Sequence, residues 1–113
     1  MQLSDKKCIP CERDDLDVLS CVEAEKIIIE HALSLCDWKM NETCTRIIFE
    51  KNFSDFITAM KFVNKVAEIA EQEGHHPDMS IWYNRVILDL WTHSIGGLSE
   101  NDFILAAKIN KLL

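Results

Sequence analysis

Apolar positions recur at helical spacing from Ala24 through Ile27, Ile28 and Ala32 to Leu35, and Ser20 with Glu23 ahead of them has the spacing of a capping box. This predicts a first helix from about Ser20 to Leu35. Between Trp38 and Phe53 the helical period is lost, and Thr43, Thr45, Ile47, Ile48, Phe49 and Phe53 favour a pleated surface with Asn41 and Glu42 as a turn. A hairpin is expected there. Ser54 then caps a second helix whose stripe Phe56, Met60, Val63, Ala67 and Ala70 steps by four and three, and Gly74 stands where a left-handed C-terminal cap belongs. Ile57, Phe62, Val66 and Ile69 lie beyond that stripe, which makes this helix apolar over more than the one face a sheet can bury. Pro77 opens an extended stretch to His93, interrupted only by Asn84 and Arg85, and a second hairpin is expected. Ser99, with Asp102 three residues on, starts a last helix in which Leu105, Ala106, Ile109 and Leu113 face inward.

The order helix, two strands, helix, two strands, helix predicts an α+β fold, a four-stranded antiparallel sheet with three helices packed on one face. Residues 1 to 19, with Asp5, Lys6, Lys7, Glu12, Arg13, Asp14, Asp15 and Asp17 and no hydrophobic period, read as a solvated N-terminal head. Residues 20 to 113 then form a single domain, as suits a chain of 113 residues. Apolar residues at 48% and charged residues at 27% exclude a disordered or collagen-like chain. The longest apolar run, Phe103 to Ala107, is far short of the ~20 residues a membrane helix needs, so no membrane partner is expected. A net charge of -7 with no basic stripe removes the phosphate-neutralising contribution on which nucleic-acid affinity depends, so no direct nucleic-acid contact is expected either. Five cysteines are an odd number in a chain without a secretory leader, which points to free thiols in a reducing compartment and hence to a cytoplasmic location. Cys8-Ile-Pro-Cys11 has no second pair to complete a metal site and is read the same way.

The chemistry gathers at one end of the second hairpin. If Asn84 and Arg85 form a two-residue loop, Tyr83 faces Val86, Ile81 faces Leu88 and Met79 faces Leu90 on a side that meets the helices. The other side pairs Trp82 with Ile87, Ser80 with Asp89, Asp78 with Trp91 and His76 with His93, with the last two Cβ atoms about 5 Å apart. A three-residue loop would pair His75 with His93 instead. The pre-proline position biases His76 to an extended conformation, which throws His75 and His76 to opposite sides. Clustered imidazoles suit acid and base work at neutral pH. Zinc is the competing reading, with Glu71 or Asp78 completing a set of histidines, but no His-x-x-x-His spacing supports it. Asp102 serves the last helix as a capping partner and is also able to orient or charge-stabilise an imidazole; Glu71, four residues before His75, is able to steady that ring. Trp82, Ile87 and Trp91 make the outer sheet side apolar enough to call for a ligand or a second subunit.

The run Glu71-Gln-Glu-Gly-His-His-Pro-Asp78, with Trp82-Tyr-Asn-Arg-Val86, Trp91-Thr-His-Ser94 and Gly97-Leu-Ser-Glu-Asn-Asp102, closely resembles the pterin-4a-carbinolamine dehydratases, also called dimerisation cofactors of a homeodomain transcription factor. The likeness extends more weakly back through Phe53-Ser-Asp-Phe56 and Trp38 to the first helix, over about 90 residues. It implies the fold read from periodicity. It also implies dehydration of a 4a-hydroxytetrahydropterin to the quinonoid dihydropterin, in tetrahydrobiopterin recycling, with no metal or other cofactor. Carried over position by position, the family's catalytic residues fall on His75, His76, His93 and Asp102. Substrate contacts are expected at Gly74, Trp91, Thr92, Ser94 and Trp38, with Glu71 behind His75. This chain has Gly74 where some animal members have Asp, and Trp91 where they have Ser. The resemblance further implies a dimer or tetramer, and a non-catalytic role as a transcription-factor partner, which would add the nucleus to the cytoplasm, is the alternative to the enzyme.

Overall fold

A computed structural model describes residues 2–8, 17–33 and 35–113. The elements are α1 (Cys21–Glu30), β1 (Trp38–Met40), β2 (Ile47–Asn52), α2 (Phe56–Glu73), β3 (Asp78–Trp82), β4 (Arg85–Leu90) and α3 (Glu100–Asn110), with single 3-10 turns at Leu3–Asp5 and His93–Ile95. The four strands form one antiparallel sheet in the order β1-β2-β4-β3. The expected α+β architecture is therefore the observed one. Ile47, Phe49, Val86, Leu88 and Leu90 point from one sheet face into the core and meet Phe62, Val63 and Val66 of α2 and Phe103, Leu105 and Ile109 of α3.

Several local expectations need correction. The capping box of Ser20 and Glu23 is present, but α1 stops at Glu30 rather than Leu35, and Leu35 reaches the core from the turn that follows. The cap of α2 is Asp55, whose carboxylate accepts the Thr58 N–H at 2.8 Å, not Ser54. The buried stripe is Ala59, Phe62, Val63, Val66 and Ala70, with Phe56 and Ile57 exposed, so Phe62 and Val66 are core rather than outer surface. On α3 Leu113 lies beyond the helix and is exposed, while every side chain from Asn101 to Ala107 is buried.

That all-round burial has its cause in the N-terminal segment, part of which is packed and not solvated. Leu3 is 3% exposed, and its 3-10 turn lies against α3. Lys6 pairs with Glu100 at 2.7 Å, and the Cys8 N–H donates to Glu73 at 2.9 Å. Burial together with the Glu73 carboxylate pushes the Cys8 thiol up to about 12, which leaves it protonated and unreactive at neutral pH. Cys11 and the acidic stretch 12–16 lie outside the described residues.

The expectation of five free thiols also fails. Cys21, at the start of α1, is disulfide-bonded to Cys44 in the β1–β2 loop. Residues 23 apart in sequence meet only because the loop folds back over the helix terminus, a proximity invisible to a count of cysteines. The count consequently no longer points to a reducing compartment.

The β3–β4 hairpin turns one residue earlier than expected. Its loop is Tyr83-Asn84, with pairs Trp82 to Arg85, Ile81 to Val86, Ser80 to Ile87, Met79 to Leu88 and Asp78 to Asp89. The expected partners are thus displaced by two places, but the two faces keep their membership because the displacement is even. The physical reason is tertiary. The Phe53 N–H donates to the Asn84 carbonyl at 2.7 Å and the Asn84 side-chain amide donates to the Phe53 carbonyl at 2.8 Å, which fastens the loop to the end of β2.

Candidate active site

The site begins at the C-terminal end of α2, where the last helical carbonyls would otherwise be left without partners. Gly74 adopts φ 65° and ψ 27°, the left-handed cap that glycine takes without Cβ strain. The His75 N–H then returns to the Ala70 carbonyl at 3.2 Å, and the reversal turns the His75 side chain inward. His75 is 4% exposed, and its Nε2 lies 2.6 Å from Oδ1 of Asp102, which is 0% exposed. It therefore sits in the interior behind the sheet end, not on the mixed sheet face proposed by hairpin arithmetic.

Asp102 is held from three directions. Its Oδ2 accepts the Ser99 N–H at 2.9 Å, as the capping spacing requires, and the Thr92 hydroxyl at 2.9 Å. Thr92 Oγ1 is also 2.7 Å from Ser99 Oγ, and because its own proton is given to Asp102 the Ser99 hydroxyl is the donor in that contact. A buried carboxylate is tolerable when its lone pairs are filled in this way. With Oδ1 of Asp102 acting as an acceptor, Nε2 of His75 is the nitrogen that carries a proton in this contact.

The other two histidines face outward. His76 is exposed, and its Nε2 lies 2.6 Å from Glu71 Oε1. Glu71 thus steadies His76 and not His75, because the reversal at Gly74 carries the second imidazole back along the last turn of α2. His93 lies on the 3-10 turn after β4, its ring against that of Trp91 with centroids 4.0 Å apart and planes tilted by 31°, and its Nε2 is 4.0 Å from Asp78 Oδ2. The same Asp78 oxygen accepts the Trp91 indole N–H at 3.0 Å. The Thr92 N–H donates to the Gly97 carbonyl at 2.8 Å and closes this turn. Gly97 is needed there, since a Cβ would lie 2.7 Å from Val18 Cγ2. His75, His76 and His93 consequently each face a carboxylate of their own: Asp102, Glu71 and Asp78.

Not every residue expected at the site lies open to a substrate. Thr92 is buried and its hydroxyl is spent on Asp102 and Ser99. Trp38 is in the core against Phe49, with ring centroids 5.4 Å apart, although its Nε1 is buried without a hydrogen-bond partner among the described residues. Gly74 shapes the turn, Trp91 is half-buried under His93, and Ser94 is exposed. Sequence reasoning missed Arg46, whose guanidinium bonds Asp89 at 3.1 Å and lies 4.6 Å from the Trp91 ring centroid. The true register places Asp78 across from Asp89, and two facing acids were the signal that a cation had to stand nearby.

Comparison with known proteins agrees with this geometry. The family model described as pterin 4 alpha carbinolamine dehydratase matches residues 22–112. A Rickettsia bellii protein provisionally named pterin-4-alpha-carbinolamine dehydratase is 46% identical over 110 residues, covering 97% of this chain and 93% of its own. The Arabidopsis thaliana protein named pterin-4-alpha-carbinolamine dehydratase 2, mitochondrial, is 41% identical over 113 residues, covering 97% of this chain and 58% of its own. Among solved structures, a Brucella melitensis protein described as a transcriptional coactivator/pterin dehydratase superposes with a TM-score of 0.76 at 32% identity, over 85% of this chain and 98% of that one. From the fold, the buried His75–Asp102 pair and these matches together, the chain belongs to the pterin 4 alpha carbinolamine dehydratase family.

Proposed function

We propose that this chain dehydrates a 4a-hydroxytetrahydropterin to the quinonoid dihydropterin and water, by histidine acid and base catalysis, and so serves tetrahydrobiopterin recycling. The observation that carries the reading is the shared carboxylate. Asp102 holds His75 through one oxygen and Thr92, the neighbour of His93, through the other. One imidazole is thereby anchored in the interior while the next one along the turn stands at the surface. In the reaction an acid protonates the hydroxyl on C4a as its carbon–oxygen bond breaks, and a base removes a ring N–H proton whose electron pair forms the new C=N bond. Water leaves and the proton count is unchanged. His75 and His93 are the acid and base pair, His76 orients the ring, and Asp102 stabilises the imidazolium form of His75. Following loss of the carbinolamine absorbance with and without the protein tests the reading; identical rates would overturn it.

The description of the Brucella melitensis relative as a coactivator keeps a second reading in view, a dimerisation partner for a transcription factor without catalysis. Such a module has no need of an acid and base set, and the same assay separates the two.

The proposed reaction asks nothing of a metal. His75, His76 and His93 each face one carboxylate, and among the described residues no three ligand side chains are grouped as a metal site. Purified protein is expected to hold less than one zinc per chain and to keep its turnover after chelation. Activity lost to chelator and restored by zinc alone would show that the imidazoles are metal ligands.

We also propose a homo-oligomer, a dimer or tetramer. Among the described residues strand β3 pairs with β4 alone, which leaves its outer edge open, and Met79, Ile81, Trp82 and Tyr83 along it are exposed together with Phe56 and Ile57 of α2. An open apolar edge is covered most simply by its own copy. Ile87, half-buried beside Ser80, contributes less than its sequence position promised. Light scattering at micromolar concentration should return at least twice the 13.0 kDa chain mass, and a monomer would refute the assembly.

A further inference from the structure

We infer that Arg46 is a positioning residue for His93, acting through the Trp91 indole that both side chains contact. The inference rests on the acid–base reading of His93 given above.

Register brings the three together. Ile47 pairs with Leu90, so one step further along the two strands places Arg46 across from Trp91. The guanidinium carbon lies 4.6 Å from the indole centroid, and Nη1 is 3.1 Å from Asp89 Oδ2. The indole is fastened at its edge as well, by the N–H donated to Asp78 at 3.0 Å. A ring held on its face by a cation and at its edge by a carboxylate has little freedom to turn. His93 rests on that ring at 4.0 Å, on a turn where its own side chain is exposed. As a surface ion pair alone, Arg46 and Asp89 would matter little. Two further features set this pair apart.

First, Asp89 lies directly across the strands from Asp78, the acid that approaches His93. Like charges in that relation repel. Arg46 offsets Asp89 and so leaves the Asp78 carboxylate to the indole N–H and the imidazole. Second, the backbone that carries Arg46 is held closely. The Asn41 side-chain oxygen accepts the N–H groups of Thr45 and Arg46 at 2.9 and 3.0 Å, the Asn41 N–H donates to the Arg46 carbonyl at 3.0 Å, and Cys44 is tied to α1 through Cys21. The cation is thus delivered to the indole from a braced loop, and the indole in turn sets the plane and place of the His93 ring.

Arg46→Ala is expected to lower kcat by about 10-fold, the cost of a misplaced proton carrier, with KM changed by less than about 2-fold. The same substitution should move the His93 ring-proton NMR resonances downfield, as the shielding from the stacked indole is lost, with the thermal midpoint close to native. Arg46→Lys, which keeps the charge without the planar fork, should recover the resonance positions and kcat only in part and in proportion. Native kcat together with native His93 resonances in Arg46→Ala would overturn the inference. His93→Ala assayed beside it keeps the two ideas apart. If His93→Ala is inactive and Arg46→Ala is native in both readouts, only the positioning role falls. If His93→Ala turns over normally, the acid–base reading falls and takes with it any role of Arg46 in turnover, whatever the resonances show of the contact.

Discussion

His75→Ala and His93→Ala are each expected to lower turnover by about 10²-fold or more, the usual scale for a lost acid or base. The two should differ in what they do to the fold. His93 is exposed on a short turn, so its removal leaves the core intact and the thermal midpoint near native. His75 is buried and gives the proton that fills Asp102 Oδ1, so His75→Ala opens a gap and strands a buried carboxylate, at a cost of about 3 kcal/mol. His75→Gln, whose amide reaches a similar place with an N–H, is the control: it should regain much of the stability and none of the acid–base function. Steady-state rates on folded protein, read with thermal melts, decide the matter. Rates within twofold of native for both alanine variants would remove histidine catalysis from this site.

Asp102 is the second position of large effect, and its two substitutions separate structure from chemistry. Asp102→Ala leaves the His75 ring N–H, the Thr92 hydroxyl and the Ser99 N–H without their acceptor in the interior, and also removes the capping partner of α3. A loss of about 3 to 5 kcal/mol is expected, which in a domain of this size lowers the melting midpoint by more than about 10 °C. Asp102→Asn keeps the volume and one acceptor oxygen for Ser99 and Thr92, so it should fold. Its amide, however, meets the His75 Nε2–H with a donor, which forces the ring into its other tautomer or out of place. Turnover should fall about 10²- to 10⁴-fold with a much smaller loss of stability. Native turnover in Asp102→Asn would mean that Asp102 is a helix cap and nothing more.

The double duty of Asp102 explains why the site was largely legible in the chain. Ser99 and Asp102 have capping-box spacing, Gly74 stands at a helix end, and His75 and His76 precede a proline. Each is a local signal with a local cause. Together they mark the helix ends and the turn from which His75, His76 and Asp102 project, though not which of them is buried. The alternation along the second hairpin likewise sorted its side chains onto two sides, because side chains alternate whatever the register. Of the set expected to meet the helices, however, only Val86, Leu88 and Leu90 are buried, while Met79, Ile81 and Tyr83 are exposed on the edge strand and its loop.

Other features depended on contacts that no local signal contains. Which residues form the hairpin loop was decided by the two hydrogen bonds between Asn84 and Phe53, and that choice moved every cross-strand partner by two places, so that Asp78 faces Asp89 instead of Trp91. The buried stripe of α2 was set by the side on which the helix packs against α3 and β4. The packing of Leu3, the Cys21–Cys44 bond and the meeting of Arg46 with Trp91 join residues far apart in the chain. By itself, then, the sequence determined the order of elements, the faces of its strands and the residue types that carry the chemistry, because periodicity, caps and turns act over a few residues. Only the tertiary structure decided which histidine is buried, which acid each imidazole faces and which cation stands behind His93, because those follow from register and from long-range packing.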